Sequence, residues 1–380
     1  MSRKVEIPFT IRFVTPAFLG DANQSSEWRV PPFKHLLREW WRCLEMGRSR
    51  SSGSEHDAQE LGRCEALLFG GVHKDSPSRS QVEIMFEEEW SKGTLSTLTQ
   101  GKAHPHPEVK NKHGVIQNVD SLLYLGYGPL LFESRTVPPK LKTPPAIQAG
   151  GIKRAVIRCP SDRETDMRTI LGLIHWLGTI GGRCRNGWGS LEILEENGQP
   201  WCSRTLSVLN PIEKPWVACL NREWSHALGI EPASDGTPKR LLLWKTKSGY
   251  DDWQGAMGEM ARIKIALRAG NPSARLRAIP VDTEPDQRHL LGYPITHHDV
   301  GAWGKDFRLA NQLRFKVIKE RLGGDGEPKY YGIAYHMPHG LPAAMQAAYP
   351  KGSAFPAYDQ TVWTTVHTKL DALMTPWTTP

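Results

Sequence analysis

Four glycines, two arginines and an asparagine fall within nine residues in Gly181-Gly182-Arg183-Cys184-Arg185-Asn186-Gly187-Trp188-Gly189. Glycine takes positive φ and lets a backbone come close to a ligand. Arg183, Arg185 and Asn186, set between them, bring two cations and an amide to the same place. Such a loop suits a phosphate backbone better than a small apolar ligand. A plain glycine-rich turn with exposed arginines is the other reading. Nucleotide-cofactor chemistry is disfavoured: no Lys-Ser/Thr pair follows, and the glycines come after a helical pattern rather than a strand.

A second cationic group is Lys34, Arg38 and Arg42, spaced by four and so rising along one stripe of a helix. Glu39 and Glu45 partly neutralise it, which allows a solvated face. A phosphate-facing stripe is the alternative, because the loop through Pro31 and Pro32 brings the anion-favouring helix N-terminus to the same edge. His35 beside Lys34 is the residue type that a metal-independent ribonuclease needs as general base, with a cation on the scissile phosphate. Asp21 after Gly20 could act as an acid with a divalent ion, although a lone loop aspartate is more often a turn former.

Alternating Val5, Ile7, Phe9, Ile11 and Phe13 predict a strand at 5–14, with Pro8 marking an edge or an irregular start. Phe33, Leu36, Leu37, Trp40, Trp41 and Leu44 predict a helix at 32–46 whose tryptophans are core. Strands near 82–87, 126–132 and 152–159, a helix near 165–179 and a strand at 190–194 complete the order β-α-β-β-α-β, the ferredoxin-like pattern. Residues 47–60 read as a flexible insertion. Residues 99–120, with Lys102, His104, His106, Lys110, Lys112 and His113, read as a long basic loop, either a nucleic-acid finger or disordered. Its histidines lack cysteines or carboxylates at fixed spacing, which disfavours a metal.

From 134 to 158 there are Arg135, Lys140, Lys142, Lys153, Arg154 and Arg158 and no acid. Prolines at 138, 139, 144 and 145 keep the first part extended, and a line of cations suits a nucleic-acid backbone. In the strand at 152–159, Arg154 and Arg158 share one face and Lys153 lies on the other. A second domain is expected after 200–216, with a strand at 241–244 and a helix from about Asp251 to Arg268. Trp253, Met257, Met260 or Ala261 and Ile265 form that helix's buried stripe. Residues 261–281 carry Arg262, Lys264, Arg268, Arg275 and Arg277 without an acid. Arg308, Arg314 and Lys316 follow on a strand-like run, with Arg314 and Lys316 on the face opposite Leu313, Phe315 and Val317. His336-Met337-Pro338-His339 has helical metal-ligand spacing, but Pro338 favours a loop.

A chain of 380 residues is ample for two cores, divided here as 1–200, with insertions near 47–60 and 99–120, and 215–380. A formal charge of +8 and 14 tryptophans fit a partner rich in phosphate and stackable bases. Cysteines 43, 64, 159, 184, 202 and 219 show no Cys-x-x-Cys pair and read as reduced thiols. With no run long enough for a bilayer, the expectation is a cytoplasmic protein with no membrane partner.

Phe13-Val14-Thr15-Pro16-Ala17-Phe18-Leu19-Gly20, followed by Arg29-Val30-Pro31-Pro32-Phe33-Lys34-His35-Leu36-Leu37-Arg38-Glu39-Trp40-Trp41-Arg42, resembles the N-terminal signature of the first subunit of the CRISPR Cmr (type III-B) complex, in the RAMP superfamily. The loop at 181–189 resembles that superfamily's glycine-rich loop. The run Arg308-Leu309-Ala310-Asn311-Gln312-Leu313-Arg314-Phe315-Lys316-Val317 resembles the strand late in the subunit's second RAMP domain. His35 stands where the family pattern expects a glycine, so a close backbone approach is not carried over there.

The resemblance implies an α+β chain of two ferredoxin-like, RRM-related RAMP domains with loop insertions. It implies RNA binding without catalysis, near the 3′ end of the guide RNA, in antiviral defence. Implied partners are guide (CRISPR) RNA, target RNA and other RAMP subunits of the Cmr effector complex; no cofactor or metal is expected. The RNA-binding residues expected on both grounds are Lys34, Arg38, Arg42, Lys153, Arg154, Gly182, Arg183, Arg185, Asn186, Gly187, Arg275, Arg277, Arg308 and Arg314. Two alternatives stand beside this reading: a metal-independent RAMP endoribonuclease that processes guide RNA, and an assembly adaptor whose basic surface serves acidic proteins.

Overall fold

In a computed structural model of the chain, the described residues are 3–48, 55–73, 76–87, 92–201, 206–234, 239–269, 287–295, 300–304, 306–320, 327–348 and 355–377. The opening strand, Lys4–Phe13, buries Ile7, Phe9, Ile11 and Phe13 and turns Glu6, Pro8, Thr10 and Arg12 outward. It pairs antiparallel with Ile152–Pro160 and with Leu191–Leu194, while Glu83–Phe86 lies beyond Ile152–Pro160 at the sheet edge. The strand is therefore interior, not the edge that Pro8 suggested. Pro8 lies past Thr10–Phe13, the stretch paired with Leu191–Leu194, and so is at an open margin on that side.

Among the described residues of this half, the α-helices are α1 (Val30–Arg48), α2 (Glu55–Phe69), α3 (Ser121–Gly126) and α4 (Glu164–Leu177). Helices α1 and α4 pack against each other and against the sheet. The buried stripe of α1 follows its 3.6-residue period, and Trp40 and Trp41 are only 1% and 2% exposed, placing both rings in the core.

The second half repeats the pattern: strand Leu243–Lys245, α5 (Trp253–Ala269), strands Leu313–Glu320 and Lys329–His336, and finally α8 (Phe355–Leu373) and strand Thr375–Pro376, with short helices α6 (Gln287–Leu290) and α7 (Ala343–Ala347) between. Numbered along the chain, the four strands of each sheet run 4-1-3-2, and every neighbouring pair is antiparallel. The strand expected at 241–244 is split. Leu241 belongs to a small sheet of Glu213–Pro215, Leu228–Glu231 and Arg240–Leu241, and Leu243 and Trp244 belong to the main one. Asp252 caps α5, its carboxylate accepting from the Gly255 N–H at 2.7 Å.

The chain between Glu83–Phe86 and Ile152–Pro160 builds a lobe. Residues 99–120, expected as a long loop, contain a hairpin of Ala103–Lys110 and Ile116–Asp120. Asp120 then caps α3, accepting from the Leu123 N–H at 2.9 Å and the Gly101 N–H at 2.6 Å. Residues 126–132, expected as a sheet strand, instead end α3 and supply Leu130–Leu131, which pairs with Lys140–Leu141 outside the main sheet.

Leu98, Leu122, Leu125, Leu130 and Leu141 of the lobe share one core with Trp244, Met257, Met260 and Phe315 of the second half. His104 Nε2 lies 2.8 Å from the Gly258 carbonyl, at a turn of α5 where a Cβ would meet Lys102 at 3.2 Å. Helix α5 is therefore buried nearly all round, including Ile263, Lys264 and Leu267, rather than along one stripe. Its second apolar side exists because the lobe covers it.

The two halves are fastened by buried polar contacts. Lys316, 1% exposed, donates to the Ile174 and His175 carbonyls at 3.0 and 2.5 Å, placing a cation on the C-terminal end of α4. The Tyr335 hydroxyl donates to the Leu177 carbonyl at 2.6 Å. Arg314 is 6% exposed and bonds Glu39 of α1 at 2.7 Å. The face of Leu313–Glu320 carrying Arg314 and Lys316 is thus the seam between the halves, and Arg314, expected at RNA, is engaged there with Glu39. His336 and His339 are likewise buried; His336 stacks on Trp363 and its ring nitrogens meet Gln312 and His367, each at 3.0 Å.

Candidate nucleic-acid interface

The glycine loop joins α4 to Leu191–Leu194. Gly181, Gly187 and Gly189 have φ of +92°, +90° and +62°, and Arg183 itself lies at +58°, a left-handed conformation uncommon away from glycine. The loop is tied to the segment 15–20. Gly182 N–H donates to Phe18 O at 2.9 Å, Gly189 N–H to Pro16 O at 2.8 Å, and Thr15 Oγ1 to Gly187 O at 2.8 Å. On its other flank, the Phe315 N–H donates to Arg185 O at 3.0 Å. The two stretches singled out in the sequence form one structure.

The glycines themselves serve protein packing, which corrects the expectation for Gly182 and Gly187. A Cβ on Gly187 would sit 2.8 Å from Met260 Cε, and one on Gly182 3.2 Å from Pro129 Cγ; Gly187 is buried against α5. The tightest approach is at Gly189, where a Cβ would meet the Ile180 carbonyl oxygen at 1.9 Å.

Several expected cations are engaged inside the fold. Arg38 and Arg42 both grip Glu65 of α2, Arg42 through two bonds of 2.6 and 2.7 Å, so the stripe on α1 faces a helix rather than phosphate. Lys34 donates to Ser80 Oγ at 2.8 Å, and burial followed by Arg38 holds its pKa below the usual lysine range. Lys153 is 3% exposed on the core face of its strand, and Arg314 is in the seam. Arg154 is exposed on the outer sheet face, but that face is an ionic lattice. Arg154 lies 3.8 Å from Glu87, Arg158 2.5 Å from Glu6, Lys4 2.7 Å from Glu83 and Arg12 2.5 Å from Glu192.

Arg308 is exposed outside the strand, which begins at Leu313, and donates to Phe307 O at 2.8 Å. Arg275 and Arg277 lie outside the described residues. Arg185 is half-buried near Glu39 and Arg314; burial first, then Arg314, lowers its pKa from the ordinary arginine value.

Arg183 and Asn186 remain, and they face a cleft of about 1310 Å³ between the lobe and the second half. One wall is the hairpin 103–120 with α3 and the segment 127–139. The other is the C-terminal half of α5, with Arg288 of α6 and Pro294. Asn186 ties them together: its Nδ2 donates to the Leu125 carbonyl at 2.9 Å, and its Oδ1 accepts from Lys264 Nζ at 2.7 Å.

Lys264 is 8% exposed; its ammonium bonds this neutral amide and lies 5.7 Å from the centre of the Tyr124 ring. Burial, then Arg268 and Arg183, hold its ammonium well below the ordinary lysine value. Arg268 has a buried Nε without a partner, and burial lowers its pKa as it does for Arg183. Arginine remains charged despite such shifts.

The carboxylates that line the cleft have other partners. Glu108 bonds Arg288 at 2.5 Å, Glu133 lies 3.3 Å from Lys140, and Asp120 is the cap of α3. Among the described residues, Arg183, Lys264 and Arg268 therefore share the cleft without a carboxylate partner. Burying a charge without a counter-charge, as at the Arg268 Nε, is unfavourable, and an incoming anion would relieve that cost while also meeting the exposed Arg183.

The sequence brought Arg183 and Asn186 forward. It noted Lys264 and Arg268 only as members of an acid-free run, and it did not single out Arg288 or Tyr124. The usable signal was that acid-free run on a helix with little polar face to spare.

No protein-family model matches this chain, and no curated protein does. Among solved structures, the apo form of Cmr1 from Pyrococcus furiosus is similar to it. The identity is 17%, the alignment covers 89% of this chain and 90% of that one, and the TM-score is 0.38.

Outside the cleft, Asp21 folds a turn, its carboxylate accepting from the Asn23 and Ser25 N–H groups at 2.7 and 2.9 Å. His35 is exposed on α1. Among the described residues no three His, Cys, Asp or Glu side chains are grouped to hold a metal, and no helix is long and apolar enough to cross a membrane.

Proposed function

We propose that this chain is a non-catalytic RNA-binding subunit of a type III-B (Cmr) RNA-guided effector complex, and that RNA lies in the cleft between the lobe and α5. On this reading the two β-α-β-β-α-β units are ferredoxin-like RAMP domains. The chain sits near the guide-RNA 3′ end, contacts guide and target RNA in antiviral defence, and neighbours other RAMP subunits in the cytoplasm. The observation that carries the proposal is the convergence of Arg183, Lys264 and Arg268 on one cleft without a carboxylate partner among the described residues. Phosphates would supply the missing anions, with affinity that depends on salt and little on sequence. The sequence resemblance at 13–42, 181–189 and 308–317 supports the assignment to this class of complex.

The test is binding of the purified chain to labelled single-stranded RNA across a salt series, with product length followed with and without Mg²⁺. The expected result is intact RNA whose log affinity falls with log salt at a slope of about −2 or steeper, as three phosphate contacts require. Shortened RNA that survives chelation would replace this reading with the endoribonuclease, and absence of binding at low salt would leave an adaptor.

A further inference from the structure

The lobe wall of the cleft carries an apolar rim. Of the ten large hydrophobic residues exposed among the described residues, six lie between 115 and 137: Val115, Ile116, Tyr127, Leu131, Phe132 and Val137. Clustered exposure of this kind marks an interaction surface. Tyr127 and Phe132 are 61% and 56% exposed and both line the cleft. Tyr127 follows α3 directly, and the next residue, Gly128 at φ +116°, leaves room for the Arg183 guanidinium, whose Nη2 would be 3.2 Å from any Cβ placed there. A cation without a carboxylate partner among the described residues thus lies against the backbone of Gly128, next in the chain to the exposed Tyr127, with Lys264 and Arg268 in the same cleft.

We infer that Tyr127 and Phe132 are stacking platforms for unpaired bases, so that the cleft selects single-stranded RNA over duplex. This deepens the proposed function and rests on it. The pairing of chemistries decides the occupant. A protein partner would cover the apolar rim but leaves the cations unanswered unless it is also acidic. A duplex answers the cations but keeps its bases stacked internally, leaving the rings exposed. A single strand offers phosphates and free π-faces together, and aromatic side chains combined with a basic groove are how sequence-tolerant single-strand binding is built. Both rings project from the surface, so their replacement leaves the core untouched.

The test uses the full chain with a single-stranded RNA, the same RNA annealed to its complement, and a strand with abasic sites. Tyr127→Leu and Phe132→Leu should each weaken binding of the base-containing strand roughly tenfold. Neither should change the abasic strand or the salt slope, and Phe132→Trp should restore affinity. A 2-aminopurine base in the strand should lose fluorescence on binding the native chain and keep it with the double variant. Equal affinity for duplex and single strand, or aromatic variants that bind like the native chain, would overturn the inference while leaving an RNA-binding cleft in place. Loss of RNA binding by the native chain would remove both.

Discussion

Changing Arg183, Lys264 and Arg268 together to methionine lowers RNA affinity by on the order of 100-fold at low salt and flattens the salt slope by about 2. The size of the effect follows from what these groups lack. Lys264 is buried, Arg268 is half-buried and Arg183 is exposed, and among the described residues none has a carboxylate at ion-pair distance. The two arginine charges are therefore available to a phosphate, and at Lys264 an approaching phosphate favours the ammonium that burial disfavours. Methionine keeps the volume and removes the charge, so the free protein loses an electrostatic penalty. The same triple variant is accordingly expected to unfold at equal or higher urea concentration than the native chain. A set of residues whose removal harms binding and not folding is a binding set; filter binding and urea unfolding on one preparation check both halves.

Glu39→Ala has the opposite signature and the largest expected effect on stability. Glu39 is the carboxylate that answers Arg314, buried at 6% exposure between the halves, with Arg185 adding a second positive field. Burial works to raise the Glu39 pKa, but the Arg314 charge and hydrogen bond outweigh it, so the carboxyl titrates below its ordinary range. Removing it strands a buried guanidinium whose Nε already lacks a partner, at a cost of about 3–5 kcal/mol. Replacing both partners by leucine removes the stranded charge and should return most of that loss. Urea midpoints of Glu39→Leu, Arg314→Leu and the double leucine variant give the coupling; an additive result would show that the seam does not depend on this pair.

What was legible in the sequence was what depends on local period and turn chemistry. The alternation in Lys4–Phe13, the buried face of α1 and the helix–loop–strand around 181–189 all lie where their residues placed them. The cations were harder, because a basic residue looks the same in sequence whether or not an acid from elsewhere meets it. Glu65 is 23 residues from Arg42, and Glu39 is 275 residues from Arg314, so neither pairing leaves a local trace. The cleft was illegible for a related reason. Its walls come from an insertion in the first half and a helix of the second, and the clue was that α5 carries more apolar residues than one sheet can cover. Glycines misled in the other direction: freedom at positive φ was read as room for a ligand, whereas Gly187 and Gly189 give that room to Met260 and Ile180.

Where RNA lies on the molecule is the central claim, and photo-crosslinking tests it most directly. Single-stranded RNA carrying 4-thiouridine would be irradiated with the full chain and the joined peptides identified by mass spectrometry. Crosslinks are predicted in the peptides that hold Tyr124 to Phe132, Arg183 to Asn186 and Lys264 to Arg268. Crosslinks confined to the α1 stripe at Lys34, Arg38 and Arg42, or to the outer sheet face at Arg154 and Arg158, would contradict the cleft.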